Sequence, residues 1–541
     1  MLRTPVALAL GVVSAALLAA APASASPVLV LGHDGHVRVR EDRFLPPPDA
    51  RPPAPAPPGP AIARAAAARR KGPTVRAELK RLVAAAQITP EAGAGYRAAY
   101  DEARRTLKKL AGYRRAQLAA VLSNVDAAAA SGLMAPSRLP SLFLTVQRNR
   151  AWWAAAPIPA PGARTEFAGS RIVWQHYPGQ GLQIQWLGTF GKANGLWMAK
   201  DHDEDLRALL DEALGLAVAR AGGIAFEYLF IFDGGRPPWV SSLAQGTALS
   251  ALSRAAVRLA DPRYADAARG ALGIFRTRPP AGVRVPTAAG AHYLQYSYAP
   301  NLRIVNGFTQ SLNGLHDFAA INNDDEGHAL FDAGEAELRA ELPMFDTGAW
   351  SLYSRLGPSG PESDLNYHKL LRDFLRGLCE RMTGDRDRAA ARPAPSTTTP
   401  STTTPSTTTP DTTGGTAAPS PVAALADPAL YCDTAQRFTD DLTRPPTLAV
   451  PEGQTLRAKA MGAVRFTLDK VASVSITVLR DGKVILTRTA RLGRGRHVTA
   501  LRPTKAGPLE VRVRAVDLAG NAAAAAGTLA VRPAAKQHKS N

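Results

Sequence analysis

The sequence predicts a mainly α-helical protein: successive helical hairpins around one core, a short β-hairpin before them, and a separate all-β end. Three observations carry that fold class. Apolar residues recur at spacings of three and four through most of residues 73–383, the period of helices with one buried face. Towards the C-terminus, Val474, Ile476 and Val478 alternate with Ser and Thr, the period of a half-buried strand. Between the two patterns Ser396-Thr-Thr-Thr-Pro400 stands three times in succession, a tract that cannot build a core. The 541 residues allow roughly three domains, and an apolar content of 45% excludes a wholly disordered chain.

Taken in order, residues 1–25 read as a secretory signal peptide. Arg3 supplies the positive start, Val6 to Ala21 an apolar stretch, and Ala23-Ser24-Ala25 a small-residue cleavage site. Residues 26–72 read as a tether rich in Pro, Ala and Arg, with Pro46-Pro47-Pro48, Pro52-Pro53 and Pro57-Pro58 favouring extended backbone. Residues 73–169 read as a helical prelude; Thr89-Pro90-Glu91 is a helix start with a threonine cap and proline in the first turn. From residue 170, Arg171 to Trp174 and Leu182 to Trp186 read as two strands around the turn His176–Gly181. Helical stretches follow at Leu206–Ala219, Leu243–Leu259, Tyr264–Phe275, Val305–Ala320 and Ala329–Leu342, the string expected of helical hairpins. At the far end Asp481-Gly482 marks a hairpin, Val511, Val513 and Ala515 alternate again, and Asp517 to Asn521 precede a last strand.

Charge narrows the partner. Lys and Arg outnumber Asp and Glu by 65 to 45, a surplus that concentrates polyanions. Export then disfavours nucleic acid and favours an extracellular or cell-envelope acidic polymer. No segment after the leader reaches the roughly 18 uninterrupted apolar residues of a membrane span. No Walker loop, zinc-ligand spacing or nucleophile elbow appears, so no metal and no cofactor is expected. The acidic run Asp201-His-Asp-Glu-Asp205 reads as acids opening a helix. Nothing in the sequence fixes an oligomeric state.

Five of the twelve tyrosines lie between His292 and His368: Tyr293, Tyr296, Tyr298, Tyr353 and Tyr367. Three of their surroundings are loop-to-helix junctions, where sites are commonly built. These are Tyr296-Ser-Tyr-Ala-Pro-Asn-Leu-Arg-Ile-Val-Asn306-Gly-Phe-Thr-Gln-Ser-Leu-Asn-Gly-Leu315, then Leu342-Pro-Met-Phe-Asp346-Thr-Gly348 with Tyr353, then Asn366-Tyr367-His368. Together with Pro238-Trp-Val-Ser-Ser-Leu-Ala-Gln245-Gly246 they resemble the C-terminal catalytic domain of the D-glucuronyl C5-epimerase family over about residues 170 to 385. The resemblance implies an incomplete α/α barrel and an isomerase acting on glucuronate units of a heparan-like acidic polysaccharide without a cofactor. It implies Tyr296 and Tyr367 as acid/base groups, with Tyr353 close to the ring. Asn306, Arg355 and His368 are implied as substrate-holding residues, with Gln295 and Asn366 beside them. The chain departs from the animal heparan-type pattern at Gln295, Asn366 and Ser354, where those enzymes carry Glu, Asp and Asp. The C-terminal region, residues 446–533, resembles the immunoglobulin-like sandwiches appended to secreted bacterial enzymes, with a basic tail at 534–541.

The residue types suit the chemistry. Inverting C5 of a uronate removes a proton beside a carboxylate and returns one from the opposite face, so two acid/base groups must flank the ring. Donors or cations must meet the charge that builds on the carboxylate. Two other readings stay open: a polysaccharide lyase that starts with the same proton abstraction, and a non-catalytic polysaccharide-binding protein of the envelope.

The catalytic domain is expected to run over residues 170–443, interrupted at 386–425 by the Ser/Thr/Pro-rich insertion. Leu370 to Met382 forms one helix ending at Thr383-Gly384-Asp385, and Asp427-Pro428 opens another. Removing the insertion leaves an ordinary helix-turn-helix, which is also how the family's catalytic domain finishes. Cys379 and Cys432 then face one another, and an oxidising compartment favours their pairing.

Overall fold

The computed structural model describes residues 26–45, 72–357, 360–391 and 426–534. The leader, the Pro-rich residues 46–71, most of the Ser/Thr/Pro tract and most of the basic tail lie outside them.

The expected β-hairpin is part of a larger sheet. Strands β1 (Ser26–Leu31) and β2 (Val37–Asp42) pair antiparallel, and β1 pairs in parallel with β3 (Arg164–Phe167). Strands β4 (Trp174–Tyr177) and β5 (Gly181–Ile184) complete the order β2-β1-β3-β4-β5. Residues 26–42 are therefore not tether. Val28 and Leu31 are buried, and buried Lys192 donates to Asp42 and Glu166, 2.9 and 2.7 Å away, fastening the sheet to a following helix. The apolar run Val28-Leu-Val-Leu31 and the turn Asp34-Gly35 carry the strand signal, which the Pro-rich composition further on masks.

Four helices form the prelude: α1 (Val75–Ala84), α2 (Pro90–Lys109), α3 (Gly112–Ala130) and α4 (Leu139–Ala155). Thr89 caps α2 by accepting from the Ala92 amide at 3.2 Å, with Pro90 in the first turn. These helices are not a separate unit, because one hydrophobic cluster runs from Leu31 and Val75 through to Phe438. Asn149 of α4 is the polar rivet: its side chain accepts from the Leu182 amide at 2.8 Å and donates to the Leu182 carbonyl at 2.7 Å.

Four helix pairs follow. They are α5 (Trp186–Met198) with α6 (Asp203–Leu214), α7 (Ser242–Arg258) with α8 (Pro262–Gly270) and the single turn α9 (Gly273–Arg276), α10 (Val305–Asn322) with α11 (Asp325–Glu341), and α12 (Leu365–Ala390) with α13 (Ala429–Asp440). Short ribbons lie between them: β6 (Val218–Arg220) with β7 (Gly223–Ala225), β8 (Arg284–Pro286) with β9 (Ala291–Tyr293), and β10 (Arg303–Ile304) with β11 (Ser354–Arg355). The first helices of the pairs pack in series, α5 on α7, α7 on α10, α10 on α12, while each second helix packs on its own partner. Burial follows the same division: Ser242 to Ser253 of α7 are all buried, whereas α6 and α11 bury one face. Helices α7 and α10 meet backbone to backbone, since a Cβ on Gly314 would stand 2.0 Å from the Gly246 carbonyl oxygen.

Helix α12 continues to Ala390, two turns past its expected end. Asp385 explains the extension by accepting from His316 Nε2 at 2.7 Å and pairing with Arg388. Cys379 and Cys432 are joined in a disulfide with Cα atoms 5.1 Å apart, tying α12 to α13.

The C-terminal region is two sheets over their own core. One has the order β12 (Leu448–Ala449), β14 (Gly462–Leu468), β17 (Gly495–Leu501). The other has β13 (Thr455–Arg457), β19 (Ala522–Arg532), β18 (Gly507–Asp517), β15 (Ala472–Arg480), β16 (Lys483–Leu492). Val474, Ile476 and Val478 face Val464 and Phe466 across the inner space, along with Val511 and Val513. Asp481 and Gly482, with φ of 47° and 76°, make the tight turn between β15 and β16.

Candidate active site

Tyr296 lies in the loop between β9 and α10. Its ring stacks on Tyr298 at 5.4 Å and meets Trp239 edge-on at 5.7 Å, so an aromatic wall fixes its direction. Its hydroxyl accepts a hydrogen bond from Gln295 Nε2 at 3.0 Å. Burial, then the neighbouring Tyr353, Tyr298 and Tyr367 hydroxyls, hold its pKa well above the ordinary phenol value. Tyr298 is raised too, first by burial.

Tyr367 sits in the first turn of α12, where Asp364 caps the helix by accepting from the Tyr367 amide at 2.9 Å. Its ring lies 4.6 Å from that of Tyr353, which precedes β11. Tyr296, Tyr353 and Tyr367 therefore meet, although Tyr296 and Tyr367 are 71 positions apart.

Tyr296, Tyr367 and Gln295 line a narrow pocket of about 60 Å³. Its other walls come from residues that the sequence reading left unassigned: Gln175 and Tyr177 of β4, Gln185 at the cap of α5, and Tyr228, Phe230, Phe232 and Trp239. Gln185 ties the floor together, donating to the Tyr177 hydroxyl at 2.9 Å and accepting from the Tyr228 hydroxyl at 3.2 Å. The signal that could have found them is the period-two run Gln175, Tyr177 and Gln183, Gln185, polar side chains where a buried strand normally carries aliphatic ones. Buried oxygens of Gln175, Gln295 and Tyr298 have no hydrogen-bond partner among the described residues, and neither does Asn306 Nδ2. Unpaired buried polar atoms are costly in a structural role and ordinary in a binding one. Asn306 stands in the first turn of α10 beside Gly307, where a Cβ would come within 2.4 Å of Gln295 Oε1.

A wider groove of about 490 Å³ adjoins the pocket, sharing Leu187 and Tyr367 with it. Asn366 lies in this groove, not in the tyrosine pocket. Arg164, Arg254, Lys369, Arg372 and Arg381 line it, opposed by Asp373. Beneath them Asp317 takes Arg381 at 2.8 Å and Arg254 at 2.9 Å, and those guanidiniums hold its carboxyl below the usual range despite its burial.

Two expected substrate-holding residues point elsewhere. His368 is fully buried behind Tyr367: its Nε2 donates to the Phe438 carbonyl at 3.0 Å and its Nδ1 accepts from Ser351, whose hydroxyl is 2.9 Å away. Both nitrogens are taken, the ring stacks on Trp350 at 3.8 Å, and burial depresses its pKa to about 4. Neither ring nitrogen is left free to face the slot. Arg355 pairs in register with Arg303 and turns towards Met344, whose sulfur is 2.8 Å from Nη1, and over the Phe345 ring. Its neighbour there is Glu341, which burial keeps above the usual carboxylate range. Among the described residues no group of His, Cys, Asp and Glu is arranged to hold a metal ion, and no helix is long and apolar enough to cross a membrane.

The geometry defines a class of site: phenols gathered in and around an uncharged slot beside a cationic groove. Residues 222–388, which supply all three tyrosines, match the model of the family described as D-glucuronyl C5-epimerase C-terminus. The D-glucuronyl C5-epimerase of Caenorhabditis elegans is 33% identical over 130 residues, covering 22% of this chain. The chain spans 21% of the length of that relative. Among solved structures, an unsaturated glucuronyl hydrolase from Bacillus sp. GL1 is 13% identical, over 48% of this chain and 60% of its own, with a TM-score of 0.29. Fibronectin(III)-like modules of Clostridium thermocellum CbhA are 20% identical, over 17% of this chain and 99% of their own, with a TM-score of 0.13. TM-scores this low carry no argument about fold or activity.

Proposed function

We propose that this protein is an exported uronate C5-epimerase acting on an acidic polysaccharide, needing no cofactor. The observation that carries the reading is that Tyr296 and Tyr367 line one slot, with Tyr353 packed against Tyr367, within the family-matched segment. The helical core is read as an incomplete α/α toroid, which the series α5, α7, α10, α12 with outer partners supports. The two C-terminal sheets are read as an immunoglobulin-like sandwich. Export is supported by the leader and by the disulfide, which belongs to an oxidising compartment.

In the proposed reaction the C5–H bond of a glucuronate unit breaks, its electron pair spreads into the adjacent carboxylate, and a proton returns from the other face. Protons and electrons balance without an oxidant. Tyr296, kept protonated at neutral pH, suits the return. Tyr367, which lines the same slot, is assigned to abstraction. Asn306 Nδ2 is assigned to the substrate carboxylate, where a preorganised donor counts most as charge develops. The groove is assigned to the flanking acidic units of the chain.

The test is incubation with heparosan and other glucuronate polymers in deuterated buffer, followed by NMR. Loss of the C5 proton signal with formation of iduronate is expected. Cleavage to an unsaturated uronate would mean a lyase instead, and binding without exchange or cleavage would leave a carbohydrate-binding protein.

A further inference from the structure

A chain-end β domain on a secreted enzyme is ordinarily a spacer, and domains joined through small polar interfaces move relative to one another. The contacts here are of another kind. Lys470, between β14 and β15, is fully buried; its ammonium pairs with equally buried Asp517 at 2.8 Å and donates to the Asp441 carbonyl at 2.9 Å and to the Arg444 carbonyl. The same ammonium lies 5.5 Å from the centre of the Trp350 ring. Asn521, held by Asp517, donates to the Leu442 carbonyl at 2.9 Å. On the other side, Glu362 of the helical core accepts from two amides of the β region, Val471 at 3.0 Å and Arg494 at 2.8 Å.

Both contacts reach the segments that carry Tyr353 and Tyr367. Trp350 carries His368, the residue after Tyr367, on its face. Glu362 bridges to Leu352, and next to that bridge the Tyr353 amide donates to the Pro361 carbonyl at 2.9 Å. Ser351 binds His368 through its hydroxyl and amide, and its carbonyl accepts from Ser363. The stretch bearing Tyr353 is thus clamped at Trp350–Ser351 and at Glu362–Ser363, and the β region grips both clamps. A buried ion pair is poor value as glue, because desolvation offsets most of its attraction; its best-attested use is to fix one register.

We propose that the C-terminal β region is a positioning part of the active site, with Glu362 and Lys470 as positioning residues that set where Tyr353 and Tyr367 stand. The kinetic arm rests on the epimerase reading; the exchange arm does not. Full-length Glu362→Ala, Glu362→Gln and Lys470→Met are compared with the parent by hydrogen–deuterium exchange of peptides covering 351–357 and 365–370, by thermal melting, and by kcat and KM on a glucuronate polymer the parent epimerises. We expect about tenfold faster exchange in 351–357, with α7 and α10 unaltered. We expect kcat to fall about 10- to 100-fold with KM within twofold, as misplacement of reacting groups does. Glu362→Gln, which keeps one acceptor oxygen, should recover part of both effects. Unchanged exchange in 351–357 in the Glu362 variants, with faster exchange confined to the β strands, would make the region a spacer and overturn the proposal. If Lys470→Met does not fold, the two Glu362 variants decide alone. If the parent acts on no polymer, the exchange arm still decides.

Discussion

The slot and the groove share Tyr367 and Leu187 yet are built from opposite materials. Four tyrosines, a tryptophan, two phenylalanines and three glutamines account for most of the slot lining, with no charged side chain among the residues that line it. The groove carries five cations. The difference separates two tasks. Scarce water and charge raise a phenol's pKa further above its ordinary value, as burial does for Tyr296, whereas a polyanion is gathered by charge that solvent can reach. Helix α12 serves both, with Tyr367 on one side and Lys369 and Arg372 following it.

The largest effect should come from the slot. Tyr296→Phe and Tyr367→Phe each keep the ring that packs and remove only the proton-carrying oxygen. We expect kcat to fall about 10³-fold, the middle of what a positioned acid or base contributes, with the melting temperature nearly unchanged. Deuterium incorporation at C5 measures the first and calorimetry the second. Loss of stability in either variant would make that tyrosine structural and collapse the division between slot and groove.

The wall that both cavities share depends on α12 staying against α13. Cys379 and Cys432 close a loop with a sequence separation of 53. The paired substitution to Ser should cost up to about 4 kcal/mol in the chain-entropy account, less where the reduced chain keeps structure. Urea unfolding of oxidised and substituted protein measures it. A change under about 1 kcal/mol would mean that packing of Tyr431 and Phe438, both fully buried, holds the wall by itself.

How far the sequence reaches is clear from the same wall. The tyrosines are legible because motif residues at loop-to-helix junctions keep their order, and the helices because their period is local. Lost are the features made by contacts between distant segments. The strand at Ser26–Leu31 pairs with Arg164–Phe167 across the whole prelude, and nothing near residue 26 announces that partner. The slot floor comes from β4 and β5, whose glutamines look like ordinary polar strand residues until Tyr228 closes on Gln185. His368 reads as a ligand because imidazole suits a carboxylate, and only Phe438 and Ser351, brought up by the fold, show that its nitrogens are spent.

That histidine, buried behind Tyr367, gives stability a pH dependence. His368 has its pKa depressed to about 4 by burial, and burial pushes His292 well below its usual value. In the unfolded chain both titrate near 6.5. Between pH 6.5 and 4 the unfolded state therefore binds protons that the native state refuses, and stability falls as pH falls. His368 alone should account for roughly 3 kcal/mol across that window, and above pH 7 its contribution is constant. Melting temperatures from pH 7.5 to 4 in His368→Gln should show a shallower slope than the parent. An equal slope would place the dependence on His292 or on carboxylates.

The smallest expected effect belongs to the groove and is the cleanest test of the contrast. Lys369 is exposed on α12 and has no ion-pair partner among the described residues, while Arg372 holds Asp373 at 2.8 Å. A cation already satisfied by a carboxylate adds little to the capture of a passing anion; an unshared one adds its full field. Lys369→Gln should therefore raise KM on a glucuronate polymer about three- to fivefold, near the 1 kcal/mol of one solvent-exposed charge contact, and Arg372→Gln by less. In both, kcat should stay within twofold because neither group reaches the slot lining. Screening supplies the control. Raising ionic strength from about 0.01 to 0.15 M shortens the reach of a charge from roughly 30 to 8 Å, so the parent's KM should climb with salt and the Lys369→Gln curve should climb less and meet it at high salt. Parallel curves that never converge would mean that Lys369 acts through local packing, and a fall in kcat instead of a rise in KM would mean that the groove takes part in the chemistry after all.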